Sequence, residues 1–460
     1  MIDFKKILNE NKEDVIKTLQ ELIQIPSVLD ENNKTEDAPF GKEVRKALDY
    51  MMARAKKDGF EILQDGGYAG HLEYGNKNGK LIGILCHLDV VPVGPNWTYP
   101  PFSAHITDDN KMYGRGSTDD KGPTMAAYFA LKFIKDAGIK LKNNVRIIFG
   151  CDEETGWRGI THYLKHYPAP DLGFVPDADF PLIYGEKGRM SYDLSLPSFQ
   201  EDDVLVSING GERYNVVLEE VTAIIKKDLR KEFIQFAEKN KLGYETSILD
   251  NNYKLVLKGV ASHAMEPEKG INAGTYMCNF LKDYTNNKMV HFVNDYLHLD
   301  YNCQKLGLYY NDYEMGPITD NLGIMNISKD EVRVTLDLRY PVRYDNVKFD
   351  ETLRAIAEEK GLIITHSTNK NPHYVDPNDE LVTKLYDVYL KHTNDFEHKP
   401  MTIGGGTYAS TLPKAVAFGM NMPYEEELAH QRDEYLNLET YFKAILIYVD
   451  AILALGEIDA

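Results

Sequence analysis

The sequence predicts an α/β protein. A domain with a mostly parallel sheet flanked by helices, built from both ends of the chain, carries an inserted α+β domain with an antiparallel sheet. Three observations lead there. The runs LIGILC (81–86) and VRIIFGC (145–151) are short and almost wholly apolar, as strands covered on both faces tend to be. Between them, PTMAAYFALKFIKDAG has a helical period and a glycine stop at Gly138, so strand, helix and strand alternate as in a layered α/β domain. From about residue 188 the texture changes: MSYDLSL, YKLVLKGV and EVRVTLDLRYPV alternate apolar and polar residues, the pattern of strands with one wet face.

The elements follow in order. Ile7, Leu8, Val15, Ile16, Leu19, Leu22 and Ile23 recur at helical spacing until Pro26 stops them. A second helix runs through VRKALDYMMARAKKDG and ends at Gly59. After the strand, helix and strand described above, DLRKEFIQFAEKNK, NAGTYMCNFLKDY and VKFDETLRAIAEEKG read as helices among the alternating strands. NPHYVDPND (371–379), rich in Pro, Asn and Asp, is the expected crossing point back to the first domain. ELVTKLYDVYLKHT and LETYFKAILIYVDAILAL close the chain as helices. The expected boundaries are 1–187 with 380–460 for one domain and 188–379 for the insert.

With 460 residues the chain exceeds what one hydrophobic core usually serves, which supports this division. A formal net charge of −19 repels nucleic acid and anionic membranes, so neither is an expected partner. The four cysteines form no CxxC, which argues against a disulfide framework and a thiolate zinc site and fits a reducing compartment. MIDFKKILNENKEDVIKTLQ lacks the apolar stretch of a secretory signal, and no apolar run is long enough to span a bilayer. A cytoplasmic location is the expectation.

Five places could carry chemistry, each expected at or just past a strand end, where open α/β sheets place their sites. His87-Leu88-Asp89 follows LIGILC; with i and i+2 on one side of an extended segment, Asp89 could orient the ring while its other nitrogen binds a cation. GRGSTDDKGP (114–123) puts two adjacent carboxylates in a glycine-bracketed turn before a helix. Asp152-Glu153-Glu154 follows VRIIFGC, where one acid could bind a cation while its neighbour takes a proton from water. Asp177 and Asp179 follow LGFV, and His430 sits in HQRDE near the carboxyl end. Singly, most of these read as caps or loop residues. As a set of His, Asp, Glu, Asp and His without cysteine, they suit a hydrolytic zinc, manganese or cobalt site.

HLDVVP, GRGSTDDKGP, CDEETG, PDADFP and HQRDE resemble the di-metal family of aminoacylases, carboxypeptidase G and succinyl-diaminopimelate desuccinylase. DGFEILQDGGYAGHLEYG, FVPDADFPLIYGEKG, GGERYN, NPHYVD and IGGGTYA further resemble its PepV-type bacterial dipeptidases, over essentially the whole chain. The resemblance implies a zinc-peptidase-like catalytic domain, an inserted lid and two divalent cations per chain, zinc first, with manganese or cobalt as alternatives. By motif, His87 and Asp177 would hold one cation, Glu154 and His430 the other, and Asp119 would bridge them, with a cis peptide after it. Glu153 would be the general base and Asp89 would orient His87. In the lid, His263 would stabilise the oxyanion with help from Asn215, and Arg339 would clamp the substrate carboxylate, with Arg343 as the alternative clamp. Gly406 and Thr407, with Gly404 and Gly405, would let backbone approach the substrate. The implied activity is hydrolysis of dipeptides by a monomer, with deacylation of N-acyl amino acids as the alternative. His71, His105, His162, His166 and the other histidines outside these motifs read as structural, as do Cys86 and Cys151, and His373 fits the NPHYVD pattern but is given no role.

Overall fold

The computed structural model describes residues 2–200 and 202–458. They divide into two compact units: the chain up to Gly185 with Tyr374–Met401 and the stretch from Gly406 onward, and Glu186–His373 with Thr402–Gly405. The first return crossing falls inside NPHYVDPND, earlier than the expected residue 380. The second unit's claim on 402–405 was not foreseen. It follows from hydrogen bonds within that unit: Lys187 N to Ile403 O (2.9 Å), Thr402 Oγ1 to Glu314 O (3.1 Å) and Arg339 Nη1 to Gly404 O (3.2 Å).

In the first unit, α1 (Phe4–Ile23) starts on an Asp3 cap and buries Leu8, Val15, Leu19, Leu22 and Ile23. Helix α2 (Lys42–Lys57) stops where Gly59 takes a φ of +78°, a turn that L residues resist. The central sheet is mixed, with parallel strands at its heart. Strands β1 (Glu61–Asp65) and β2 (Ala69–Gly75) form an antiparallel edge hairpin, followed in space by Asn144–Gly150, β3 (Leu81–His87), Leu172–Val175 and Ala415–Ala417. These last four run parallel. Helix α3 (Lys121–Asp136), buried almost all round, packs against the closing helix Leu438–Gly456. Helix α4 (Arg158–His166) buries Ile160 and Tyr163 against the sheet's other face.

The second unit is an eight-stranded sheet whose pairings are antiparallel, with Val332–Tyr340 between Thr319–Ile327 and Gly188–Ser195. Helices Arg230–Lys239, Ala273–Leu281 and Asn346–Glu359 bury Phe233, Met277 and Leu353 in its own core. Among the described residues, no helix is long and apolar enough to cross a membrane.

His71 on β2 ties sheet to helix: its Nδ1 lies 2.6 Å from the Tyr163 hydroxyl of α4. Burial, reinforced by the nearby Arg146 charge, lowers its pKa from 6.5 to about 4. The folded protein therefore binds fewer protons here than the unfolded chain. This contribution is present above pH 6.5 and is lost as pH falls through about 4. From pH 7 to pH 5 this group alone removes about 2 kcal/mol. The acid-dependent drop in unfolding free energy, read from denaturant titration at the two pH values, should be smaller by that amount in His71→Gln than in the wild type.

Candidate metal centre

The parallel strands bring three of the five places to one sheet edge. His87 is the last residue of β3 and lies opposite Gly150, so the turn beginning at Cys151 leaves the sheet beside it. Leu172–Val175, parallel to β3, runs out to Asp177 on the same edge. Asp119 and His430 depart from expectation, since neither follows a strand of this sheet. Asp119 lies in the loop entering α3, and His430 lies in a long loop with a φ of +65°.

All five side chains meet. His87 Nε2 is 3.0 Å from Asp119 Oδ1 and 3.4 Å from Asp177 Oδ2. His430 Nε2 is 3.0 Å from Asp119 Oδ2 and 3.0 Å from Glu154 Oε2. The two oxygens of Asp119 thus face two different histidines, each backed by a further carboxylate. His87 Nε2, Asp119 Oδ1 and Glu154 Oε1 are buried with no hydrogen-bond partner, as ligand atoms aimed at a common space would be. Glu153 joins His87 and Asp177 in a group whose candidate ligand atoms lie within 4.8 Å of one another. The Asp119–Asp120 peptide is cis.

The electrostatics follow from burial. It pushes the Glu154 carboxyl up to about 7, with Asp119 adding to the effect. Burial also drives Glu153 and Asp120 well above the carboxylate range and raises Asp177. Asp119 alone is held low: burial opposes ionisation, but the adjacent imidazoles of His430 and His87, one on each oxygen, prevail. His430 rises to about 11 through Asp119 and then Glu154. So many acids cannot all ionise in a confined space without added positive charge.

Asp89 does something other than expected. His87 Nδ1 lies 3.0 Å from its backbone carbonyl, whereas its carboxylate is 3.6 Å away, beyond hydrogen-bond reach. The Asp89 carboxylate instead accepts the backbone N–H groups of Glu153 and Glu154, both at 3.1 Å. It positions the turn bearing both acids, and its carbonyl fixes the ring. Asp152, fully buried at a φ of +74°, is likewise structural: it takes Arg158 through Nε at 2.7 Å and Nη2 at 2.9 Å.

Sequence reasoning missed Glu434, four residues beyond His430 in the same HQRDE motif. It is completely buried and accepts from Arg115 Nη1 (2.7 Å), Gly116 N (3.1 Å), Thr118 N (2.8 Å) and Thr118 Oγ1 (3.0 Å). Asp119 N, at 3.3 Å, completes the set. Glu434 thereby shapes the loop that presents Asp119. Asp120, the second acid of the pair, accepts from His87 N (2.8 Å) and Thr124 Oγ1 (3.1 Å) and so joins that loop to β3. Tyr408 was also missed; its ring packs edge-on against His87 at 6.3 Å.

In the second unit, Asn215 and His263 lie on paired segments: Val216 bridges to His263, and Ala264 N donates to Asn215 O at 3.0 Å. Met265 N donates to His263 Nδ1 (3.1 Å), which leaves the ring proton of the neutral imidazole on Nε2. The residue is exposed, yet crowding by surrounding protein, then the Arg339 charge, keeps its pKa below the usual value. Arg339, expected on a polar strand face, is in fact buried, with Nε on Asp337 Oδ1 at 2.6 Å. Arg343 binds both oxygens of Asp312 at 3.0 Å and Glu314 at 2.5 Å, so its fork is already committed to carboxylates of its own unit. A side chain at Gly404 would stand 2.7 Å from Met265 Cβ, a packing reason for that glycine. In the first unit Gly406 is exposed, and Thr407 caps the short helix Tyr408–Thr411 through Oγ1.

The model of peptidase family M20/M25/M40 matches residues 83–454. A protein named "Putative dipeptidase" from Staphylococcus haemolyticus is 37% identical over 470 residues, covering 98% of this chain and 99% of that protein. Among solved structures, an M20 family metallo-carboxypeptidase of Sulfolobus solfataricus superposes with a TM-score of 0.58 at 19% identity, covering 96% of this chain and 99% of that one. Human carnosine dipeptidase 1 gives a TM-score of 0.57 at 14% identity, covering 98% of each chain. At such identities the structural likeness shows the fold alone.

Truncating Glu434 strands Arg115 and leaves the backbone donors of the Asp119 loop without acceptors. Glu434→Ala should lose about 3–5 kcal/mol of unfolding free energy, read from denaturant titration. Glu434→Gln, which keeps acceptor oxygen, should lose less.

Proposed function

The chain belongs to peptidase family M20/M25/M40, and from that premise we propose that it hydrolyses the peptide bond of dipeptides with the aid of two divalent cations. The observation that carries this reading is the Asp119 carboxylate, whose oxygens are shared out between His87 and His430 at 3.0 Å each. On this reading His87 and Asp177 serve one cation, His430 and Glu154 the other, and Asp119 serves both. The donor set of imidazole and carboxylate fits zinc and also accommodates manganese or cobalt. When bound, such ions polarise the scissile carbonyl and make water more acidic.

The protein's own groups then move the proton. Glu153 accepts it from the attacking water as the water oxygen bonds to the carbonyl carbon, and the carbonyl electron pair retreats onto oxygen. Collapse of that tetrahedral species restores the carbonyl and breaks the carbon–nitrogen bond, and Glu153 returns the proton to the leaving amine. Burial of Glu153 supports this role, because a carboxyl raised well above its usual range takes up a proton more readily than an exposed one.

His263 is assigned to the oxyanion because it is a neutral imidazole with its proton on Nε2, a donor without a cation's desolvation cost. Arg339 is assigned to the substrate carboxylate in preference to Arg343 by its place in the LRYP motif, since both side chains already hold carboxylates of their own unit, Arg339 that of Asp337 and Arg343 those of Asp312 and Glu314. Asn215, Gly406 and Thr407 complete the substrate contacts. Dipeptides are favoured over N-acyl amino acids because the relative at 37% identity is named a dipeptidase. The buried free cysteines support a reducing, cytoplasmic setting, and the chain is taken to act as a monomer, which size-exclusion chromatography checks.

Reconstitution with single metals followed by a screen of dipeptides, tripeptides and N-acyl amino acids tests the whole reading. Turnover confined to N-acyl substrates would overturn the dipeptidase assignment. Glu153→Ala should retain two cations per chain while kcat falls about 100- to 10,000-fold; retained turnover refutes the base. His263→Ala should lower kcat about 100- to 1000-fold with the metal content unchanged.

A further inference from the structure

His162 and His166, which fall in no motif, stand one helical turn apart on α4, so their rings share one side of the helix. Asp65, the last residue of β1, faces both. Its Oδ2 lies 3.5 Å from His162 Nε2 and 3.5 Å from His166 Nδ1. All three candidate ligand atoms lie within 4.8 Å of one another. The oxygen is buried and has no hydrogen-bond partner. Charge-assisted hydrogen bonds run at about 2.7–2.9 Å, so 3.5 Å is too long for one. It does match the separation of roughly 3.3–3.4 Å kept by two ligands on one tetrahedral zinc ion. Tyr68 stacks flat on the His162 ring at 3.9 Å and donates its backbone N–H to Asp65 O at 3.1 Å, so the hairpin turn holds both donors in place.

We propose that Asp65, His162 and His166 form a third cation site, separate from the candidate metal centre, which takes an imidazole-preferring transition ion such as zinc or nickel. Two imidazoles and one carboxylate leave a fourth position for water, and the half-exposed His166 ring leaves an entry path. Magnesium and calcium, which prefer all-oxygen surroundings, do not compete there. The bound ion pins β1 to α4, the helix whose first residue, Arg158, grips Asp152 beside Glu153 and Glu154. Occupancy therefore stabilises the scaffold behind the Glu153–Glu154 turn without entering the reaction, and the linkage appears as a zinc-dependent rise in Tm.

The test uses the full chain, stripped of metal, dialysed against graded zinc in excess magnesium and counted by atomic emission. Wild type should hold one zinc more per chain than Asp65→Asn or His166→Gln, and both variants should lose the last zinc-dependent rise in Tm while keeping dipeptide kcat. Circular dichroism on the two variants, altered on different elements, checks folding. A His430→Ala background should lose zinc at the candidate centre and still show the same one-ion difference on Asp65→Asn. That difference does not depend on how many ions the candidate centre takes, so failure of this proposal is distinguishable from failure of the dipeptidase reading. Equal zinc counts and equal Tm responses in wild type and both variants overturn it.

Discussion

Five carboxylates, those of Asp119, Asp120, Glu153, Glu154 and Asp177, are drawn into one region beside two imidazoles, and the rest of the first unit is arranged around that concentration of charge. In water the cost would be slight; in a confined protein interior, like charges a few ångströms apart are expensive. The effects are visible group by group. Asp119, with an imidazole on each oxygen, stays ionised, whereas Glu153, Glu154, Asp120 and Asp177 are all pushed towards the neutral form. A chain that carries such a cluster needs either protons or cations to balance it. The orphaned atoms of His87, Asp119 and Glu154 favour cations, because protonated acids would seek hydrogen-bond acceptors.

Keeping such a cluster in place requires other acids that never meet a cation. Asp89 spends its carboxylate on two successive backbone N–H groups, Glu434 spends its own on Arg115 and the loop before Asp119, and Asp152 is closed by Arg158. Each is nearly inaccessible to solvent; Asp89 and Glu434 take up donors of neighbouring turns, and Asp152 takes Arg158 at the start of α4. The acids nearest the catalytic space thus include Asp119 and Glu154, each with an orphaned oxygen, and Asp89, Asp152 and Glu434, whose oxygens are taken up, while Asp120 spends one oxygen on His87 N and Thr124 and leaves the other orphaned.

This distinction explains what could be read before any coordinates. Apolar runs of strand length placed β3 and Asn144–Gly150 correctly, and once two parallel strands end side by side, His87 and the 152–154 turn must meet. Asp119, in an acid pair within a glycine-bracketed turn, and His430, a loop histidine, stand out in the sequence, but neither follows a strand of this sheet as expected, and their pairing comes only from motif resemblance. The role of Asp89 was misread because spacing reports where a side chain can point and not which of several donors satisfies its lone pairs. Glu434 was overlooked for the same reason, although it lay inside a quoted motif: only burial shows that an acid near a histidine serves a neighbouring loop. Arg339 looked solvated by strand alternation, but Asp337, two residues away on the same face, and the 402–405 segment cover it. That segment joins the second unit from far along the chain, which local pattern cannot reveal.

The same logic assigns the two adjacent glutamates. Their backbone N–H groups both point at Asp89, one to each oxygen, so the turn is rigid and the two side chains diverge from a common origin. Glu154 is drawn to His430 at 3.0 Å, where its second oxygen is left orphaned, the position of a ligand. Glu153 falls instead beside His87 and Asp177, among acids, with no imidazole on its carboxylate within ion-pair distance and the stronger burial effect on its proton. A group in that setting binds a proton more readily than its neighbour and has an oxygen free to exchange it. Swapping the two roles would place the base against a histidine already committed to Asp119 and leave the second cation without its acid. The turn therefore sends its two acids to different partners, as the proposed division of roles requires, and Asp89 holds the turn through both backbone N–H groups.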